Sequence, residues 1–302
     1  MDRHDFLRGL HGSLRPRSYL EIGVNDGRGL ATSSTRSIGV DPDFRINAEL
    51  ACDLKLVRKT SDDFFAAPDA LDWFPARSVD LTFIDGMHLS EFALRDFINA
   101  ERISTSTSVI IFDDMLPRRT EEAARDRKVR EWAGDVFKVA AVLQARRPDL
   151  VVVPVDTEPT GLLLVTNLDP VSTVLQEAYD AVLPELQSID PQQVHEDVLL
   201  RTTAADPQQL LDSPVWSELA AARDGAAPAA VTSLAMLRGT ARYVPDPPEP
   251  EPWPPPNKTA KAAAKPAPKP APKPPPKPPP PPPVPVSLTR RLRKGLARRI
   301  AG

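Results

Sequence analysis

Cysteine is nearly missing: Cys52 is the only one in 302 residues, so neither an intramolecular disulfide nor a cysteine-rich zinc site can form. Apolar runs are short. The opening "MDRHDFLRGLHGSLRPRSYLEIG" has no uninterrupted stretch of signal-peptide length, and nothing later approaches the ~20 apolar residues that span a bilayer. These absences lead to the expectation of a cytoplasmic protein, peripheral to a membrane at most. From Lys258 onward acidic residues are absent too. The 12 Lys and Arg there leave 26 of the chain's 38 basic residues against 41 acidic ones, so the preceding body carries about −15 and the tail +12.

Proline, by contrast, is concentrated: 22 of 36 lie between Pro245 and Pro285, alternating with lysine and alanine. A segment with so little to bury prefers an extended polyproline II path, which makes it a disordered, semi-rigid spacer and ends the folded body near Tyr243. Beyond it, "SLTRRLRKGLARRIAG" repeats Leu288, Leu292, Leu296 and Ile300 every four positions, giving a helix apolar on one face and basic elsewhere. Such a segment suits an anionic membrane surface or an acidic partner. Nucleic acid is disfavoured, because the tail has no aromatic residue for base stacking and the body is acidic.

Within the body, apolar runs alternate with helix-like stretches. Candidate strands are Ser18–Ile22, Ser37–Val40, Leu50–Leu54, Val79–Ile84, Ser108–Phe112, Leu150–Val155 and Gly161–Thr166. The central runs "VDLTFID" and "SVIIFDD" are apolar throughout, as in strands covered by helices on both faces. Between them "HLSEFALRDFINAERI" spaces Leu89, Phe92, Phe97 and Ile98 as a crossover helix does. Only the last two runs, separated by "DTEPT", lie close enough for a hairpin. The expected fold is α/β: a doubly wound, mostly parallel seven-stranded sheet that ends in one antiparallel strand. Helices over "PVSTVLQEAYDAVLPELQSI" and "DPQQLLDSPVWSELAAARDG" would follow as a cap or dimer contact.

Open sheets of this kind bind ligands beyond the carboxyl ends of their strands. The first such turn, "YLEIGVNDGRGL", places Glu21, Gly23 and Gly27 there. Its E-x-G-x-x-x-G spacing is not the G-x-G-x-x-G of a pyrophosphate loop, which disfavours a nicotinamide oxidoreductase. It suits a cofactor without pyrophosphate, whose ammonium group a carboxylate can pair. Asp41 closes the second strand in "SIGVDPD", where a carboxylate can accept from both ribose hydroxyls. Ser61 and Asp62, in "TSDDFF" after the third strand, offer polar groups beside aromatic rings where an adenine could lie. Together these resemble the S-adenosylmethionine site of the class I methyltransferases.

"DLTFIDGMHLSEFALRDF" followed by "SVIIFDDM" is similar to the methyltransferase group whose fourth strand ends in Asp-Gly-x-His and whose fifth ends in an aspartate pair, a group that includes metal-dependent sugar O-methyltransferases. The similarity runs from about Tyr19 to Thr166. Met87 departs from the small or acidic residue often found there, and "STSTS" replaces the usual Gly-Gly before the fifth strand. The resemblance implies methyl transfer from S-adenosylmethionine to a hydroxyl of a small, sugar-like acceptor.

The acids carry their own physical reading. Asp85, Asp113 and Asp114 would end adjacent strands, and like charges that close repel unless protonated, hydrogen-bonded or bridged by a cation. Hard oxygen ligands suit magnesium, which could lower the pKa of a bound hydroxyl. A metal-free site whose carboxylates orient the substrate is the other reading. Asp85 and His88 are the catalytic candidates, with His88 as a general base or as a loop lock bonded to a backbone carbonyl. Arg118 and Arg119 meet an acidic acceptor or stay solvated. The rival to an enzyme is a silent cofactor-binding scaffold tethered by its tail. The expected organisation is 1–168 as the cofactor-binding domain, 169–243 as a helical extension, 244–286 as the spacer and 287–302 as the basic tail.

Overall fold

The computed structural model describes residues 1–225 and 230–242, so the proline-rich spacer and the basic tail lie outside the described residues. In chain order the elements are α1 (Arg3–Leu14), β1 (Ser18–Ile22), β2 (Arg36–Val40), β3 (Leu54–Val57), α2 (Ser61–Phe65), β4 (Leu81–Ile84), α3 (Ser90–Arg102), β5 (Val109–Phe112), α4 (Lys138–Arg146), β6 (Val151–Val155), β7 (Leu162–Thr166), α5 (Val174–Leu186), α6 (Glu196–Leu199), α7 (Pro207–Leu211) and α8 (Val215–Arg223). The seven strands form one sheet in the order β3-β2-β1-β4-β5-β7-β6. β7 runs antiparallel to both of its neighbours, and the other pairs are parallel.

This is the expected mostly parallel α/β sheet, with three differences of detail. The expected third strand, Leu50–Leu54, is displaced to Leu54–Val57. Parallel pairing of Ser37 with Leu54 and Val40 with Val57 requires the chain first to run back along the sheet, and residues 41–53 are spent on that return. The antiparallel strand is also not at the edge: β7 inserts between β5 and β6. Its residues "LLLVT" are buried throughout and gain from neighbours on both sides. Pro154 in β6 has no N–H to give a second neighbour, which suits an outer strand. Finally, only a single 3-10 turn, Leu30–Thr32, stands between β1 and β2 where the doubly wound pattern calls for a helix.

Strand alternation sends side chains to two opposite cores. Ile110 and Phe112 of β5 join Leu20 and Ile84 under Leu94 and Phe97 of α3, Val139 and Leu143 of α4, and Leu186 of α5. Val109 and Ile111 join Tyr19 and Phe83 under Phe6, Leu7 and Leu10 of α1, with Leu210 of α7 and Trp216 of α8. The second face is thus covered by helices from the two ends of the described body, not by a β1–β2 crossover. Each fully buried large side chain there contributes about 1.5–3 kcal/mol. This packing brings the start of α1 over the carboxyl rim, where it meets the functional residues. Among the described residues no helix is long and apolar enough to cross a membrane.

Candidate active site

Three strand ends are stitched together by backbone bonds: the Gly23 N–H donates to the Val40 carbonyl at 2.9 Å and the Asp85 N–H to the Ile22 carbonyl at 2.8 Å. So close a junction dictates the residue type. Gly23 has φ +88°, and a Cβ there would lie 1.8 Å from the Asp85 carbonyl oxygen. Past the turn, Asp41 at the end of β2 accepts the Asn25 N–H at 2.8 Å on Oδ2 and the Asp43 N–H at 2.6 Å on Oδ1. A carboxylate offers about four acceptor positions, so Asp41 retains capacity for a ligand's hydroxyls.

These elements enclose a cleft of about 370 Å³, lined among others by Gly23, Asp41, Ser61, Asp62, Asp85 and His88. Ser61 and Asp62 begin α2, whose start is capped by the Thr60 hydroxyl accepting the Asp63 N–H at 3.1 Å. Asp62 also pairs with Arg95 at 2.6 Å.

Two residues expected at the cofactor lie elsewhere. Glu21 shares the face of Tyr19, whose hydroxyl donates to Glu21 Oε2 at 2.7 Å, and its carboxyl sits beneath Gly29, where a Cβ would be 2.6 Å from Oε1 and Oε2. Burial pushes the Glu21 pKa up to about 8, with Asp85 adding to the rise and the Tyr19 and Leu30 bonds opposing it. Gly27 turns toward Ile46 and is likewise not part of the cleft lining. Both shape the loop from below.

At the β4–β5 end the three carboxylates take separate partners. His88 lies between two of them, with Nε2 3.2 Å from Asp85 Oδ1 and Nδ1 2.9 Å from Asp114 Oδ2. Its ring stacks on Trp132 at 4.9 Å and 4°, and the Trp132 carbonyl lies 3.2 Å from Nδ1. Burial works against the imidazolium, but Asp114 and Asp85 outweigh it and hold the His88 pKa well above its ordinary value. Asp114 also accepts the Thr160 hydroxyl. Burial disfavours the Asp114 carboxylate, yet the charge and hydrogen bond of His88 bring its pKa below the ordinary value.

Asp113 is the departure from the expected trio. It follows Val109 and Ile111 onto the α1 face, where it pairs with Arg3. Burial first, then the charges of Asp114 and Asp85, push its pKa well up despite Arg3. The ligand atoms gathered within 4.8 Å of one another belong to Asp85, His88 and Asp114, so an imidazole stands where a third carboxylate was expected. Two carboxylates and an imidazole form a donor set that fits a divalent cation, provided His88 gives up its proton.

The loop from β5 to α4 holds this arrangement in place. A Cβ on Gly134, φ +65°, would lie 1.8 Å from the His88 carbonyl oxygen, and Arg125 ties the loop to Glu91 at 2.6 Å and to Asp135 at 2.6 Å. Arg118 is bound by Glu122 at 2.8 Å. Four residues around the site were not foreseen from the sequence: Arg3, Met87 as an exposed lip of the cleft, Phe92, and Asp96. Asp96 is buried in the cleft wall. Burial raises its pKa to about 7, with Asp62 adding to the rise and Ser61 and Arg95 opposing it.

A sheet of this order, mostly parallel with helices on both faces and a cleft over the ends of β1, β2 and β4, is a Rossmann-like methyltransferase fold. Residues 20–115 match a family model described as a methyltransferase domain. Similar solved structures include the O-methyltransferase TomG of Streptomyces achromogenes, determined in complex with SAM, at 19% identity over 54% of this chain and 78% of that one, with a TM-score of 0.41. An O-methyltransferase of Bacillus cereus, determined with SAH, is 16% identical over 54% and 80% of the two chains, TM-score 0.38. A methyltransferase of Geobacter sulfurreducens is 21% identical over 56% and 80%, TM-score 0.38. No curated protein sequence matches the chain.

Proposed function

We propose that this domain transfers a methyl group to a hydroxyl of a small, sugar-like acceptor. The observation that carries the reading is the continuity of the site: Asp85 and His88 line the main cleft and also belong to the acid group at the β4–β5 rim. Bound S-adenosylmethionine supplies an electrophilic methyl, which the acceptor oxygen takes as the sulfonium–carbon bond breaks and its electron pair returns to sulfur.

The chain's residues would do the rest. Asp41 holds the ribose through the acceptor positions left by its two amide bonds, and Gly23, Ser61 and Asp62 shape the cofactor's bed. Asp85, whose side chain is 20% exposed, is the carboxylate within reach of an incoming hydroxyl proton. His88, held charged between Asp85 and Asp114, orients the acceptor in preference to acting as the base. Placing the reactants in line is the largest contribution such a site can make, on the order of 7–11 kcal/mol. If magnesium takes part, Asp85, Asp114 and His88 are the residues to hold it, and bound there it would lower the pKa of a coordinated hydroxyl.

The tail reading rests on sequence alone: residues 287–302 would carry the domain to an anionic surface of the cytoplasmic membrane face. Liposome co-sedimentation with and without those residues tests it, and equal binding to anionic vesicles would remove it. For the catalytic domain the test is isothermal titration of S-adenosylmethionine, S-adenosylhomocysteine and NADH, with magnesium and then with a chelator. Micromolar binding of the first two alone is expected. No binding under either condition would overturn the reading.

A further inference from the structure

Val139, Val142 and Leu143 of α4 are buried in the core, whereas Ala140, Ala141 and Gln144 of the same helix border a cavity of about 600 Å³. This cavity is larger than the main cleft, at about 370 Å³, and shares no lining residue with it. Its floor is apolar, with Met115 and Leu116 from the end of β5 and Leu163 of β7, all buried. Ile189 and Val198, from the chain that follows α5, close the side opposite α4. Of all these residues only Met115 falls within the matched segment 20–115, so the cavity is a feature of this chain's second half.

The polar groups narrow what could occupy it. Lys138 is committed to Asp135, the Leu186 carbonyl and Ser188, while Glu185 and Arg238 bring one charge of each sign, so the lining does not favour an ion. Gln192 also lines the cavity and is 5% exposed. Its Nε2 donates to the Ser188 carbonyl at 3.0 Å and to Asp190 Oδ1 at 2.9 Å, which fixes the amide, and its Oε1 has no hydrogen-bond partner among the described residues. A buried acceptor left without a donor is costly, and a ligand's hydroxyl or N–H would satisfy it. We propose that this cavity is a second binding site, for a neutral, largely apolar small molecule that carries a hydroxyl or N–H group and gives that hydrogen to Gln192. Its volume lies in the range of small-molecule pockets, and the small side chains of Ala140 and Ala141 leave the room. The inference stands apart from the cofactor reading, since the two sites have no residue in common.

The four methionines make the test specific. Met115 lies in this cavity, Met87 on the lip of the main cleft, and Met1 and Met236 are exposed. The full chain, labelled with ¹³C in its methionine methyls, would be titrated with 2-naphthol and with 2-methoxynaphthalene, which has the same rings and no donor. 2-Naphthol should move the Met115 signal with a Kd on the order of 0.1–1 mM and leave Met87 in place. The methoxy compound should bind about 3- to 10-fold more weakly, the range for one hydrogen bond. Ala141→Trp, at an exposed position of α4, fills the cavity and should abolish both responses, with melting temperature and S-adenosylhomocysteine affinity unchanged. Gln192→Leu should erase the preference for the naphthol. Should that variant fail to fold in a thermal melt, the wild-type ratio and Ala141→Trp still decide. An unmoved Met115, shifts that survive Ala141→Trp, or equal affinities of the two compounds for the wild type would each overturn the inference.

Discussion

The two ends of the carboxyl rim are made of different materials. Over β1 and β2 the cleft is built from backbone: a glycine pressed against the Asp85 carbonyl, amides bonded across strand ends, and a carboxylate held by two N–H groups. Over β4 and β5 it is built from charges that arrive from distant parts of the chain, with Arg3 from α1 on Asp113, and His88 between Asp85 and Asp114. The first kind of site is held chiefly by sterics and backbone bonds. The second depends on the ionisation of its members, and each can be broken in a way that leaves the other standing.

The largest effect is expected from Gly23→Ala. Its Cβ would lie 1.8 Å from a backbone oxygen, at a φ of +88° that side chains rarely adopt, so β1 and β4 must separate. The loss should be about 2–4 kcal/mol of stability together with S-adenosylhomocysteine binding, measured by calorimetric melting and titration. Gly134→Ala provides the control, because its Cβ also meets a backbone oxygen at 1.8 Å, but at His88. A similar loss of stability with cofactor affinity kept within about threefold is expected there. If both variants lose the cofactor alike, the two ends of the rim are not separate.

Arg3→Ala should come next. It leaves Asp113, 1% exposed at its side chain, beside Asp114 with no guanidinium, at a cost of about 2–3 kcal/mol. The sign of its pH dependence follows from the raised Asp113 pKa. A carboxyl held above its unfolded value contributes stability at low pH and loses it as pH rises, and removing Arg3 raises that pKa further. The variant's deficit against wild type should therefore widen from pH 5 to pH 8 in urea titrations. Arg3→Lys should recover part of it, and a deficit independent of pH would show that Arg3 acts through packing.

The same contrast marks what the sequence could tell. The backbone-built end was largely legible, because glycine spacing and an acid at a strand end are local signals: Gly23, Asp41, Ser61 and Asp62 all line one cleft. Strand parity was legible as well. Alternation alone puts Glu21 with Tyr19, outside the cleft lining, and Asp113 with Val109 and Ile111, away from Phe112. What could not be read is which helix covers each face. Arg3 reaches Asp113 across 110 positions only because the β1–β2 crossover is a single turn and α1 fills that side. Likewise nothing local says that β7 enters between β5 and β6, since an all-apolar strand pairs equally well in several places.

Glu21→Gln gives the smallest and most discriminating effect. Glu21 supports the glycine loop from beneath, protonated at neutral pH by its burial, with a folded pKa of about 8 against an ordinary value of 4.5. Between those two values the unfolded chain has lost a proton that the folded chain keeps, so wild-type stability should fall as pH rises through this window and level off above it. Glutamine has nearly the same shape and can still accept the Tyr19 hydroxyl, but it has no proton to lose. Urea titrations at pH 5, 6.5 and 8 should show the variant losing about 1–3 kcal/mol less than wild type across the series. Affinity for S-adenosylhomocysteine at pH 6.5 should stay within about threefold, because Glu21 is not part of the cleft lining. Equal slopes in the two proteins would mean that Glu21 is ionised in the fold. A large loss of affinity would return it to the ligand, and would mean that the loop over β1 depends on charge as the rim over β5 does.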